Sequence, residues 1–155
     1  MGFEIVCGNV SFSCGYSTWM VVREEIAIAS LRYLRKVYDD MLSVNATKTA
    51  EQTFMEQLLE YIELSGCDTI PDFMRLFSDV DVLNTFIYHR VSGVFALLNK
   101  SDTDGFYSVG NSMDIVETMD ILQEYICYDD VKPMYGQIRE VFSESIRAKN
   151  PVVII

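Results

Sequence analysis

Apolar and polar positions alternate at the start of the chain and then change to a helical period. Phe3, Ile5, Cys7, Val10, Phe12 and Cys14 interleave with Glu4, Ser11 and Ser13 around Gly8-Asn9. This pattern predicts a β-hairpin with Gly in the first loop position of a type II′ turn. Its register pairs residue 7 with 10, 5 with 12 and 3 with 14, and it puts the apolar set on one face. A long helix is expected from about Thr18 to Leu42. One apolar stripe runs through Val22, Ile26, Ala29, Tyr33, Val37 and Met41, and a second through Ala27, Leu31, Leu34, Tyr38 and Leu42. Two adjoining stripes mark a wide buried face, so this is read as the central helix.

Four further helices are expected before the last. Thr49 with Gln52 has the form of a capping box, and the helix it opens carries Phe54, Leu58, Tyr61 and Ile62 before Ser65-Gly66 stops it. Asp68 or Thr69 caps a short helix with Pro71 in its first turn and Phe73, Met74, Leu76 and Phe77 as its apolar residues. A fourth helix is predicted over Asp81–Leu98, with Ser92-Gly93 in its middle marking the close approach of another element. Residues 106–109 form a candidate strand beside the hairpin. Asn111 or Ser112 is then expected to cap a fifth helix carrying Ile115, Val116, Met119, Leu122 and Ile126. Pro133 opens the sixth, packed through Tyr135, Ile138, Val141, Phe142 and Ile146, and Asn150-Pro151 ends it.

The last residues, Val152-Val153-Ile154-Ile155, are four β-branched side chains in a row. They are expected either to close on this chain's own core, as an edge strand or plug, or to add a strand to a neighbouring subunit or partner. The fold class that follows is α+β and predominantly α. About six helices surround a long central helix, with a small antiparallel sheet made of the N-terminal hairpin and residues 106–109. No repeat or linker interrupts the 155 residues, which are read as a single globular domain, 1–155.

Composition narrows the function classes. Half the residues are apolar and 23% are charged, a globular balance. No apolar run approaches the roughly 20 residues that span a bilayer. Glu4 and Asn9 interrupt any secretory leader, and Val6 replaces the Ser or Thr of a myristoylation signal, so no membrane association is expected. The net charge of −11 disfavours nucleic acid. Arg32, Arg35 and Lys36 make the one small basic patch. Between Ser101 and Asp130 lie eight acids (Asp102, Asp104, Asp114, Glu117, Asp120, Glu124, Asp129, Asp130) and no Lys or Arg. This is a solvated face or a dock for a basic partner, with Asp120 and Glu124 as candidate contacts. Cys7, Cys14, Cys67 and Cys127 contain no CxxC, which argues against a zinc ribbon, and with no secretory leader expected they are read as reduced thiols of a cytoplasmic protein.

Candidate chemistry is sparse. Asp102-x-Asp104-Gly105 resembles part of a calcium loop, but setting Gly105 at the sixth position puts Lys100 first and Asn111 twelfth, so an EF-hand fails. A weaker calcium or magnesium site built from Asp102, Asp104 and Asp114 stays open, against a turn whose Asp side chains bond their own backbone. His89 is the one histidine. On a continuous fourth helix it shares the small and polar flank of Val82, Thr85, Ser92 and Ala96, and it is the residue that Ser-His-Asp chemistry would need as base. No nucleophile elbow, Walker loop or dinucleotide fingerprint accompanies it. The run from Leu98 to Ser108, with Ser101-Asp102-Thr103-Asp104-Gly105 at its centre and a helix after it, resembles an H-S-D-x-D-G turn. That turn recurs in uncharacterised small proteins of bacteria and large DNA viruses; Lys100 stands where the pattern has His. The likeness implies no activity, and a virus-encoded accessory protein is one expectation from it. The reading as a whole is a non-enzymatic protein-interaction or assembly module, binding a protein partner or itself as a homo-oligomer. The alternative is a small-ligand or cation-binding protein, or an enzyme, built on Asp102, Asp104 and His89.

Overall fold

The computed structural model describes residues 2–42, 53, 56, 69–75, 78, 80–100 and 105–155. These residues form a predominantly helical α+β fold with one four-stranded antiparallel sheet. Apart from Thr53 and Glu56, the expected helix from Thr49 lies outside the described residues, as do its stop at Ser65-Gly66, the residues Asp68, Leu76 and Phe77, and the turn Ser101–Asp104.

The hairpin has the predicted register: β1 (Gly2–Cys7) and β2 (Val10–Gly15) pair Cys7 with Val10, Ile5 with Phe12 and Phe3 with Cys14. Gly8 has φ +59, and Asn9 is not among the positive-φ residues. One left-handed residue at the first loop position fits type II′, whereas type I′ needs two. Phe3, Ile5, Cys7 and Phe12 are buried. The Phe3 ring stacks on Trp19 at 3.7 Å, nearly parallel. Trp19 sits in the first turn of α1 (Tyr16–Leu42), so the helix clamps the hairpin that precedes it. Along α1 the two apolar stripes merge as expected, with Val22, Ile26, Ala27, Ala29, Leu31 and Leu34 all buried.

The sheet order is β2-β1-β4-β3, where β3 is Gly105–Tyr107 and β4 is Val152–Ile154. The tail is therefore an inner strand and not an edge or a plug. It pairs Ile154 with Ile5 and Val153 with Val6 on one side. On the other it pairs Ile154 with Gly105, Val153 with Phe106 and Val152 with Tyr107. Strand β3 consequently does not lie beside the hairpin, because β4 stands between them. With both neighbours occupied, β4 has no open edge for strand addition to a partner. The physical reason is that a short strand satisfies its backbone N–H and C=O groups most fully between two others.

Five more helices follow among the described residues: α2 (Thr69–Arg75), α3 (Val80–Tyr88), α4 (Gly93–Leu98), α5 (Val109–Leu122) and α6 (Val131–Ala148). A 3-10 turn, Gln123–Tyr125, continues α5. The helix expected over residues 81–98 is thus two helices. Arg90 takes φ 63, its N–H donates to Ile87 O (3.1 Å), and Val91 N–H donates to Phe86 O (2.9 Å). That is a Schellman ending with Arg in the left-handed position usually given to Gly, closed by buried Val91 against buried Phe86. The close approach expected at Ser92-Gly93 is present: a Cβ on Gly93 would stand 2.3 Å from Asp114 O and 2.6 Å from Thr118 Oγ1. Thr118 repairs the break, accepting from Gly93 N–H (3.0 Å) and donating to Arg90 O (3.2 Å). The last carbonyls of α4 are satisfied from other elements, Leu98 O by buried Arg23 (2.9 Å) and Leu97 O by the Tyr107 hydroxyl (2.8 Å).

Helix α5 starts earlier than expected because β3 ends at Tyr107. Ser108 is its N-cap and shares a capping box with Asn111: Asn111 N–H donates to Ser108 Oγ (3.0 Å) and Ser108 N–H to Asn111 Oδ1 (3.3 Å). Ser112 is instead a buried residue, donating to Ser145 Oγ (2.9 Å), which in turn donates to Asn150 O (2.5 Å). This hydroxyl chain joins α5, α6 and the turn into β4. Helix α6 carries Pro133 in its first turn and buries Tyr135, Ile138, Val141 and Phe142, as the pattern requires.

Candidate functional site

Of the three aspartates considered for a cation, Asp102 and Asp104 lie outside the described residues. Asp114 is exposed on α5. Among the described residues no group of three His, Cys, Asp or Glu side chains converges as metal ligands would. His89 is half-buried at the α3–α4 break, its ring edge-on to Tyr88 with centroids 5.0 Å apart. Because the helix stops before it, the flank expected to join His89 with Ser92 and Ala96 does not form. Cys7, Cys14 and Cys127 carry free thiols. Burial pushes the Cys7 and Cys14 thiols above their ordinary pKa, so both are neutral packing residues and poor nucleophiles.

The acidic segment is partly compensated. Asp120 takes a two-point ion pair from Arg139, Nε to Oδ1 at 2.6 Å and Nη2 to Oδ2 at 3.2 Å, and this partner holds the guanidinium firmly charged. Lys132 lies 2.9 Å from Asp129, and Arg90 reaches Glu117 at 4.0 Å. Glu124 projects from the 3-10 turn with no ion pair among the described residues. Glu25 and Arg32, on the polar edge of α1, secure the end of this segment. Arg32 Nη1 donates to Glu25 Oε1 (2.7 Å) and Tyr125 O (3.2 Å), and Cys127 N–H donates to the same Glu25 oxygen (3.1 Å).

Between α5 and α6 the buried Tyr135 phenol donates to Met119 O at 2.5 Å. Burial first, then the nearby Asp120 carboxylate, push its pKa far above the ordinary value of about 10. The unfolded chain releases that proton as pH passes the ordinary value, while the folded chain retains it. The folded state then binds more protons, so stability falls as pH rises. We expect an absorbance titration of tyrosinate to show a tyrosine that ionises only together with loss of the helical circular-dichroism signal. A smooth ionisation of all tyrosines with helicity intact would contradict this placement.

The tail divides between two environments. Val152 and Ile154 are core residues, whereas Val153 and Ile155 point outward, 44% and 63% exposed. Val153 stands directly between half-buried Val6 on β1 and Phe106 on β3, which is 60% exposed. Ile155 extends the same side, its N–H donating to Glu4 O at 3.0 Å. Directly opposed side chains on one face of a sheet lie about 5 Å apart. Val6, Val153 and Phe106 therefore form a continuous apolar row across three strands, on the face turned away from the core. Sequence reasoning named Val153 and Ile155 but not Val6 or Phe106. The alternation of each strand was legible, but the order that sets these residues side by side was not.

Comparison of the chain with protein-family models, curated proteins and solved structures finds no match. No helix among the described residues is long and apolar enough to cross a membrane.

Proposed function

We propose that this chain is a non-enzymatic protein-interaction module that docks a protein partner, or a second copy of itself, on the open face of its sheet. The observation that carries the reading is the Val6–Val153–Phe106 row, continued by Ile155. Isolated exposed apolar side chains are ordinary on any protein, but a contiguous apolar strip on a rigid sheet is a typical interface core. The row uses side chains and not a strand edge, so partner binding leaves the pairing of β4 intact. The charge of −11 favours a basic or neutral protein over nucleic acid.

Replacing Phe106→Glu together with Val153→Glu tests this. Both positions are solvent-facing, so the fold is expected to stand with a loss of about 1 kcal/mol in all. Partner capture from cell extract, or concentration-dependent growth in mass by light scattering, is expected in the parent protein and absent in the double variant. Equal capture or equal self-association by both proteins would sink the proposal.

A further inference from the structure

A second surface stands apart from the sheet face, at the junction of the 3-10 turn with α6. Gln123, Ile126, Lys132, Tyr135, Gly136 and Arg139 line a cleft of about 200 Å³. We infer that this cleft docks a basic peptide segment of a partner protein, which inserts one apolar side chain between the 3-10 turn and α6.

Size is the first argument. Sites for whole small molecules run from about 300 Å³ upward, so this cleft suits one aliphatic or aromatic side chain better than a metabolite. Most of its lining surface is apolar, and Ile126, Tyr135 and Gly136 are among the residues that form it.

Gly136 is the second argument. A glycine inside a helix costs about 1 kcal/mol relative to alanine. Nothing among the described residues asks for it: its φ is not positive, and a Cβ built there would meet none of their atoms within 4 Å. Gly93 is required by packing, whereas Gly136 only keeps the cleft open. A side chain at that position would occupy the space that the peptide anchor needs.

Charge selects the class of partner. The segment from Val109 to Glu140 holds seven carboxylates against two cations. Both cations line the cleft, yet each already has its carboxylate, Lys132 from Asp129 and Arg139 from Asp120. They contribute apolar stems and N–H donors more than net charge. Glu124, which follows Gln123 in the 3-10 turn, and Asp130, two residues before Lys132, are exposed and carry no ion pair among the described residues; the proposed peptide sets the Lys or Arg flanking its anchor against them.

Fluorescence anisotropy with labelled synthetic peptides and the full chain tests the inference. One peptide carries a single phenylalanine between lysine-rich flanks, and its control has alanine in that place. The phenylalanine peptide is expected to bind at least about tenfold more tightly, which corresponds to burial of one aromatic side chain. Gly136→Leu is expected to reduce it to the level of the control while leaving Tm unchanged or higher. Glu124→Lys with Asp130→Lys is expected to weaken both peptides and flatten the dependence on salt. The Phe106→Glu, Val153→Glu protein is expected to bind the peptide normally, which separates this cleft from the sheet face. Amide shifts on titrating the parent protein should centre on residues 123–126 and 132–139, a readout that needs no variant to fold. Equal affinity for the two peptides, undiminished binding by Gly136→Leu, or shifts centred elsewhere would each overturn the inference.

Discussion

A chain ended at Pro151 is expected to lose its cooperative thermal transition, not merely its ability to associate. Val152 and Ile154 are buried, and each contributes about 2 kcal/mol by leaving water. Their strand also holds β1 and β3 together, so its removal strips two ladders of hydrogen bonds, each bond worth about 1 kcal/mol net. The sum reaches the lower part of the stability range of whole domains, about 5–15 kcal/mol. β3 suffers twice, because among the described residues β4 is its only strand partner, and Tyr107 on β3 supplies the hydroxyl that satisfies Leu97 O. Circular dichroism and calorimetry of the truncated protein decide the point. A two-state melt displaced by less than about 5 °C would mean that the tail is dispensable. Truncation is therefore a poor probe of partner binding in this protein, and the outward substitutions at Phe106 and Val153 are the informative ones.

The second large effect is expected at Gly93. Any Cβ there stands 2.3 Å from the carbonyl oxygen of Asp114 and 2.6 Å from the hydroxyl of Thr118. The first of these is backbone in the middle of α5, which cannot swing aside as a flexible side chain would. Gly93→Ala must drive α4 away from α5, and in doing so it breaks the pair of hydrogen bonds through which Thr118 closes the α3–α4 break. A loss of about 3 kcal/mol is expected, overpacking being the larger part and the stranded N–H and carbonyl the rest. For a chain of this length that lowers Tm by about 10 °C. The same substitution at Gly136, where a Cβ meets none of the described residues within 4 Å, serves as the control and should leave Tm unchanged or slightly raised. If the two alanine variants melt together, the close packing of α4 on α5 is wrong.

Local patterns in the chain determined a good deal. Two-residue alternation around Gly8-Asn9 fixes both the turn type and the register of the hairpin, because a slip by one residue would turn Phe3, Ile5 and Phe12 into water. The doubled stripe of α1 and the single stripe of α6 set which faces are buried. The Ser92-Gly93 pair marked a close approach before any neighbour was known. Each of these depends on residues a few positions apart, which propensity and period describe directly.

Only the tertiary structure decided the rest. Nothing local in Val152-Val153-Ile154 states that it enters between β1 and β3, since strand order is set by pairing with Val6 and Ile5 at the other end of the chain and with Gly105–Tyr107, far outside any local window. The same non-local order brings Val6 and Phe106 beside Val153 and so creates the candidate docking row. Thr118, Ser112 and Ser145 read as polar positions, yet they are buried, because each finds a backbone or hydroxyl partner on another element that offsets its lost hydration. The break after Tyr88 has the same origin. The chain there could continue as one helix, but the Schellman bonds at Arg90, Thr118's repair of the gap and the contact of Gly93 with α5 favour two. Alternation and periodicity determined the faces; packing between distant segments determined which of those faces remained open to a partner.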